Sequence, residues 1–439
     1  MIIKMKEKLI RKIKDKTAVL AVIGLGYVGL PLAVEKAKIG YKTVGFDVQE
    51  QKVNMVNRGQ NYIGDIVPEE LTHVVDNGKL IATNDFSFIK DVDCIAICVP
   101  TPLDIYQQPD VSYVIESTEN IAQYIHPGML IVLESTTYPG TTEEIVRPIL
   151  EKSGLKVGQD IYLAFSPERV DPGNAFYNTK NTPKVVGGIT SDCTEIAATL
   201  YETILEGKVH RVSSPAVAEM EKILENTFRN INIGLANEMA ILCNKMGIDV
   251  WEVIDAAKSK PYGFMPFYPG PGVGGHCIPI DPFYLTWKAR EYGYHTRLIE
   301  TAGEINNFMP EFVLERSMKI LNGFGKALKN SKVLVLGVAY KQDIDDVRQS
   351  PALDVMDLLQ KNGAKLTYHD PFIPSFSYKG KDYTSTEFTI EELEKADLVI
   401  LLTMHTVFNY DLIQQHAQMI FDTKNAFKDV KDRANIEKL

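Results

Sequence analysis

The chain has 439 residues, 45% apolar and 24% charged, a soluble globular balance in a chain too long for one ordinary core, so two or three domains are expected. Lys+Arg 47 against Asp+Glu 57 leaves a formal charge of −10, which excludes the basic surface of a nucleic-acid binder and points to a cytoplasmic protein. No apolar run approaches ~18 residues, so no membrane span is expected; the five scattered cysteines form neither a disulfide framework nor a zinc-spaced set, and no metal is expected.

Residues 1–16 alternate Lys with Ile and Leu, without the apolar core or cleavage site of a signal peptide, and predict a short amphipathic lead-in helix. A buried strand is expected at 17–23. Gly24-Leu-Gly26-Tyr27-Val28-Gly29 follows it, then a helical run to Ile39, a stop at Gly40 and a second strand at 42–46 ending in Asp47. A lone GxGxxG says little, but this one lies between strand and helix with an acidic residue 18 positions past its last glycine, the context of a dinucleotide site. The glycines let a pyrophosphate reach the helix N-terminus. Asp47 can accept from a ribose 2′-OH and repels a 2′-phosphate, which favours NAD over NADP. Tyr27, Val28 and Lys52 complete the expected cofactor set on this side.

Apolar strands are expected at 93–99, 129–133 and 161–165, with Cys94 and Cys98 buried in the first. Each ends in a polar loop: Pro100-Thr101-Pro102, Glu134-Ser135-Thr136 and Ser166-Pro-Glu168-Arg169. In an open parallel sheet the ligand crevice lies at these carboxyl ends, so Thr101, Thr136, Glu168 and Arg169 are expected beside a nicotinamide.

Ser214-Pro215 opens a long helix to about 245, with Ser214 as N-cap and Pro215 in the first turn. At 1.5 Å per residue it is roughly 45 Å long, enough to link two domains. Lys222 and Asn226 share one face, with Arg229 a turn on. Leu235, Met239, Leu242 and Met246 keep helical apolar spacing and read as core or subunit interface; a homodimer or higher homo-oligomer is expected.

Gly270-Pro-Gly-Val-Gly-Gly-His-Cys-Ile-Pro-Ile-Asp281 puts Cys277 behind a run of glycines, with a carboxylate four residues later. Such a run suits a loop folded tightly around something small. A thiol there can be a nucleophile, and Asp281 can position or activate a water beside it. The competing reading is a buried cysteine in an ordinary Gly/Pro loop.

A second helical region is expected at 284–324, followed by a second α/β unit: strand 331–337, helix 351–361, strand 364–368 running into His369-Asp370-Pro371, and strands at 397–402 and 419–421. This unit has only Gly337 where a dinucleotide site has three glycines, and its 340–348 loop offers Lys341 and Arg348 to phosphate instead. Two different nucleotides are therefore expected. The expected fold class is α/β, with two Rossmann-like doubly wound parallel-sheet domains (1–212 and 326–439) joined by a central helical domain (213–325) built on one long helix.

Residues 24–31, 99–102, 134–136, 166–169, 222–226, 270–281 and 337–350, in this order, resemble the UDP-glucose/GDP-mannose dehydrogenase family over nearly the whole chain. The resemblance implies NAD-dependent oxidation of a nucleotide sugar's C6 alcohol to a carboxylate in two steps, without release of the aldehyde, usually to feed surface polysaccharide synthesis. It implies that Cys277 traps the aldehyde as a thiohemiacetal, whose oxidation gives a thioester for water to hydrolyse. Lys222 and Asn226 then stabilise oxyanion charge, with Lys222 also moving the alcohol proton; Asp281 and Thr136 position water, and Glu168 is an acid/base or organising group. A UDP-sugar substrate would meet Arg169, Val170, Lys222, Asn226, Arg229 and Lys260. Tyr262, Gly272, His276 and Lys341 are expected on the substrate as well, and Arg348 on the cofactor.

Compared with UDP-glucose members, His276 replaces a serine, Arg169 an aromatic, Pro172 a second acid and Ile280 a lysine, which leaves water activation fewer groups. Gly-Gly-His-Cys-Ile-Pro-Ile-Asp-Pro, Ser-Pro-Glu-Arg and Glu-Ser-Thr-Thr-Tyr-Pro-Gly-Thr resemble the UDP-N-acetylhexosamine branch, and 260–270 its members acting on UDP-N-acetylglucosamine. Arg169 or His276 can hydrogen-bond an acetamido carbonyl that glucose lacks. UDP-ManNAc and UDP-glucose are the alternative substrates. A single-step hydroxyacid dehydrogenase and a non-catalytic NAD-binding protein are the rival readings, and neither requires Cys277.

Overall fold

The structure, a computed structural model, describes residues 2–64, 66–171, 174 and 176–439. They divide into two compact units, Met1–Glu225 with Phe283–Tyr294, and Asn226–Pro282 with His295–Leu439.

In the first unit the apolar runs become β1 (Val19–Ile23), β2 (Lys42–Phe46), β3 (Leu80–Thr83), β4 (Cys94–Ile97), β5 (Leu130–Leu133), β6 (Tyr162–Phe165), β7 (Lys184–Gly188) and β8 (Val209–Val212). Their order in one sheet is β3-β2-β1-β4-β5-β6-β7-β8. Every residue of β4, β5 and β6 is buried, as a sheet covered by helices on both faces requires. The order reverses between β1 and β4, whose registers pair Ala21 with Ile95 and Ile23 with Ile97, so the crevice of an open sheet falls beyond Ile23 and Ile97. Cys94 and Cys98 are buried, as expected. The sheet is parallel, as expected, but for one pair: β6 and β7 pair antiparallel, while β7 and β8 pair parallel. A parallel return needs a crossover element, and the described residues between β6 and β7 contain no helix. The lead-in helix Ile2–Lys14 buries Leu9 and Ile13, and Lys12 pairs with Asp93 at 2.6 Å.

The second unit contains β9 (Lys332–Leu336), β10 (Lys365–His369), the antiparallel hairpin β11 (Ser375–Tyr378) and β12 (Lys381–Thr384), and β13 (Leu398–Leu401), β14 (Ile420–Asp422) and β15 (Ile436–Lys438). Its main sheet runs β10-β9-β13-β14-β15, all parallel. The 284–324 region is helical and consists of two helices, Asp281–Ala289 and Arg297–Gly323. Gly293, at φ 63, closes the short turn between them in the left-handed conformation that ends helices.

The long helix spans Pro215–Met246, and Ser214 caps it, its Oγ accepting the Val217 N–H at 3.3 Å. The division between the units falls inside it, after Glu225. Of its four apolar residues expected in core or interface, Met239 is half-buried, whereas Leu235, Leu242 and Met246 are 56%, 46% and 62% exposed. Those three are not core.

Candidate active site

The turn after β1 is closed by backbone. A Cβ on Gly24 (φ 91) would stand 2.6 Å from the Cys98 carbonyl oxygen, and one on Gly29 only 1.8 Å from the Gly24 oxygen. A Cβ on Gly26 would meet nothing within 4 Å. Two glycines thus shut the turn, and the third leaves its backbone open to a ligand, followed by the helix Gly29–Lys38 with Val28 at its N-cap. Asp47, at the end of β2 and 8% exposed, accepts the Leu25 N–H at 3.0 Å and the Gln49 N–H at 2.9 Å, with Lys52 at 3.8 Å. Tyr62 donates to the Leu25 carbonyl at 2.7 Å, and Tyr27 is 40% exposed beside it in sequence. An open backbone at a helix N-terminus with a carboxylate one strand over fits an adenosine diphosphate with free ribose hydroxyls.

Beyond β4, β5 and β6 the polar loops are cross-braced. Thr101 Oγ1 donates to the Thr136 carbonyl at 2.7 Å, Tyr284 donates to the Thr101 carbonyl, and Ser135 donates to Val99 at 2.7 Å. Thr101 therefore orders the Thr136 loop. Glu168 accepts the N–H groups of Arg169 (2.7 Å) and Val170 (2.9 Å), and Lys184 Nζ lies 3.6 Å from its other oxygen. Lys184 in turn pairs with buried Glu134 at 2.6 Å, and Tyr201 donates to the same carboxylate. Burial pushes the Glu168 carboxyl up, but Lys184, the two backbone N–H groups and Lys222 outweigh it, and the net shift is downward. Burial pulls Lys184 down, yet Glu134 and Glu168 hold it well above the ordinary lysine range. Glu168 is accordingly held as a carboxylate.

Arg169 is heavily engaged. Its guanidinium pairs with Glu225 and, at 3.4 Å, with Glu221, and donates to the Pro183 carbonyl at 3.0 Å. Burial and the adjacent Glu225 push Glu221 up to about 7. Lys222, on the same helix, is buried, and so is Glu219, which accepts from Gly140 N–H (2.6 Å), Thr142 N–H (2.9 Å) and Thr142 Oγ1 (2.7 Å). Glu219 thereby clamps the loop that follows Thr136.

In the second unit, residues 259–280 form neither helix nor strand. Cys277 is exposed, whereas Cys94, Cys98, Cys193 and Cys243 are buried. The buried-cysteine reading of this loop is thereby set aside. The Cys277 carbonyl accepts from Ile280 N–H (3.1 Å) and Asp281 N–H (2.8 Å), so one helical turn joins thiol and carboxylate. Asp281 is 3% exposed, and its Oδ2 accepts from Asn226 Nδ2 at 2.6 Å. Gly275 (φ 91) lies under Tyr340, whose ring is 3.0 Å from where a Cβ would stand, and Gly272 lies under Pro351 at 2.9 Å. Protein around the exposed His276 ring strips water from its cation; that and Arg348 lower its pKa, against a smaller opposite pull from Asp346. Arg348 is bidentate to Asp346 (2.9 and 2.7 Å). Lys260 sits 5.0 Å over the Tyr262 ring on an exposed stretch, Arg229 is exposed and Lys341 half-buried. Pro172 lies outside the described residues.

Lys184, Tyr201 and Glu219 escaped the sequence reading, and Glu134 entered it only as part of the polar loop after the 129–133 strand. A lysine opening the apolar run 184–188 and a glutamate closing 130–133 were the available signal, because a charge in a buried strand segment calls for a partner.

Residues 18–205 match the NAD binding domain of the UDP-glucose/GDP-mannose dehydrogenase family, 216–308 its central domain and 334–429 its UDP binding domain. The chain belongs to this family. Its coenzyme is NAD and its substrate a nucleotide sugar. Among its relatives is the UDP-N-acetyl-D-glucosamine 6-dehydrogenase of Salmonella typhi, 36% identical over 89% of this chain and 90% of that one. Solved structures with the same architecture include the UDP-D-ManNAc dehydrogenase of Pyrococcus horikoshii (TM-score 0.87, 32% identity, 96% and 98% of the two chains). The NDP-N-acetyl-D-galactosaminuronic acid dehydrogenase of Methanosarcina mazei also aligns (TM-score 0.81, 32% identity, 99% and 97%).

Gly26→Ala adds a methyl that meets no protein atom, so the melting temperature should stay at the wild-type value while NAD affinity, measured by fluorescence titration, falls about tenfold or more. Because the Glu168 pKa is depressed on folding, its ion pair stabilises the chain above the ordinary carboxyl range and is lost as pH falls through the lowered value. Lys184→Met should move the acid-side fall in melting temperature, and the acid limb of the oxidation rate, to higher pH. It should also cost about 3–5 kcal/mol by stranding Glu134.

Proposed function

We propose that the chain oxidises the C6 alcohol of a UDP-N-acetylhexosamine to the carboxylate in two successive steps, with UDP-N-acetylglucosamine the first choice of substrate. The observation that carries this reading is Cys277, the exposed cysteine of the described set, one helical turn from a buried carboxylate that Asn226 holds. Removing four electrons from one carbon needs two hydride transfers, and bound NAD supplies the acceptor for each. Between them the thiolate adds to the aldehyde carbon and forms a C–S bond. The second hydride leaves that carbon, giving a thioester, and water then displaces the sulfur and releases the acid.

Lys222 and Asn226, one turn apart on the helix, stabilise the oxyanions, and Lys222 also moves the alcohol proton. Asn226 spends one N–H on Asp281 and keeps its second for this role. Asp281 and Thr136 orient the hydrolytic water, and Glu168, a half-buried anion, organises the crevice beyond β6. The coenzyme is assigned to Gly24, Gly26, Tyr27, Val28, Gly29, Asp47, Lys52, Thr101 and Arg348. The sugar nucleotide is assigned to the 213–325 and 326–439 parts together with Arg169 and Val170. UDP-ManNAc is the second reading, favoured by the likeness to the Pyrococcus horikoshii enzyme.

The assembly is read from the long helix. Val217, Met220, Leu224, Phe228, Leu235, Leu242 and Met246 recur on one helical face and are each 41–63% exposed. A stripe of that length calls for a cover, and a second copy of the same helix is the cover we propose. Among the described residues no helix is long and apolar enough to cross a membrane.

A panel of UDP-sugars followed by NADH absorbance and product mass should give two NADH and one carboxylate per UDP-N-acetylhexosamine. One NADH per sugar would refute the four-electron reading, and equal kcat/KM for UDP-glucose would refute the substrate assignment. Cys277→Ser should leave acid formation below about a thousandth of wild type. Leu224→Glu should shift sedimentation from dimer to monomer; an unchanged coefficient would place the assembly elsewhere.

A further inference from the structure

The 259–280 stretch lacks regular structure, yet it carries the nucleophile, so its backbone must be held by something outside itself. Three asparagines on the long helix do this. Asn237 Oδ1 accepts the Gly270 N–H at 3.0 Å, at the start of the loop. Asn230 Nδ2 donates to the Ile278 carbonyl at 3.0 Å, one residue past Cys277, and Asn226 holds Asp281 at its end. Their spacings of four and seven residues keep the three amides within about 40° on the helix. Asn306, on the Arg297–Gly323 helix, braces them: its Oδ1 accepts from Asn237 Nδ2 at 2.9 Å, and its Nδ2 donates to the Asn230 carbonyl at 3.0 Å. Asn230, Asn237 and Asn306 are 2%, 0% and 3% exposed.

Asparagine is a poor helix former and costly to bury, and Asn230 makes the cost plain. Its Oδ1 is buried without a hydrogen-bond partner among the described residues. Packing alone would be better served there by leucine. An amide kept at such cost is explained by where its N–H points, at the peptide beside the thiol.

We propose that Asn230 and Asn237 are positioning residues that set where Cys277 Sγ stands relative to the aldehyde carbon. This rests on Cys277 being the nucleophile. With both clamps in place, the thiolate captures the aldehyde before it leaves; with either one gone, the loop drifts and capture fails more often, although the first oxidation, which needs no sulfur, continues.

The test is the partition between products in the full-length enzyme. Asn230→Leu and Asn237→Leu keep the branched outline and remove the bonds; Asn230→Ser and Asn237→Ser, smaller and polar, stand in where the leucine variant fails to fold. Melting temperature, KM for NAD, NADH per sugar and aldehyde trapped by phenylhydrazine are measured for each, with Cys277→Ser in parallel. The expected result is an NAD KM within about twofold of wild type, acid formation down about tenfold to a hundredfold, and NADH per sugar falling from two toward one as trapped aldehyde appears. A merely structural loss would lower all turnover and leave the ratio at two. Folded variants that keep two NADH per sugar with no trapped aldehyde would overturn the positioning role. Undiminished acid formation by Cys277→Ser would instead overturn the nucleophile assignment beneath it.

Discussion

A loop with the composition of 259–280 cannot pay for its own order. Its prolines and glycines bar it from helix and sheet, so beyond one local turn the peptide groups around Cys277 find partners on side chains of a neighbouring helix. The bonds from the Pro215–Met246 helix to Gly270, Ile278 and Asp281 answer that constraint, and the local turn from Cys277 to Asp281 completes it. A helix of 32 residues is long enough to reach every point of such a loop, and Ser214 and Pro215 fix where it starts.

The same helix presents two faces of different chemistry. Lys222, Asn226, Asn230 and Asn237 lie on one, all buried, and the exposed apolar stripe from Val217 to Met246 lies about 180° away. Polar residues are inside and large apolar ones outside, the reverse of an ordinary surface helix. The buried amides on the polar face are all spent on the 259–280 loop and the aspartate that follows it, which is what holds them inside.

The two sheets use one topological idea to different ends. In each, an aspartate after the second strand reaches back to the backbone after the first: Asp47 to Leu25 N–H, and Asp370 to the N–H groups of Val338 (2.7 Å) and Ala339 (3.0 Å). Asp370 also takes buried His405 at 3.0 Å and is itself 3% exposed, so its capacity is spent inside the fold. At Gly337 (φ 77) a Cβ would stand 2.2 Å from the Thr403 carbonyl oxygen, which closes this turn as firmly as the first. Only the first sheet keeps an open glycine in its turn and a carboxylate with capacity for a ribose, which is why one sheet reads as a dinucleotide site and the other does not.

The local pattern determined a good deal by itself. Gly24-Leu-Gly26-Tyr-Val-Gly29, Ser214-Pro215 and the glycine run before Cys277 announce a phosphate turn, a capped helix and a tight loop, because each depends on backbone freedom or capping chemistry that neighbouring residues dictate. The strand cores were legible for the same reason, being apolar runs bounded by polar loops. What tertiary structure decided was pairing at a distance. The antiparallel turn of β7 against β6, the Lys184–Glu134 pair under Glu168, the capture of Arg169 by Glu221 and Glu225, and the amides beneath Cys277 join residues 50 or more positions apart in several cases. No local propensity encodes such a partnership; it exists only once the chain has brought those groups out of water together, where a buried charge or amide without a partner is too costly to keep.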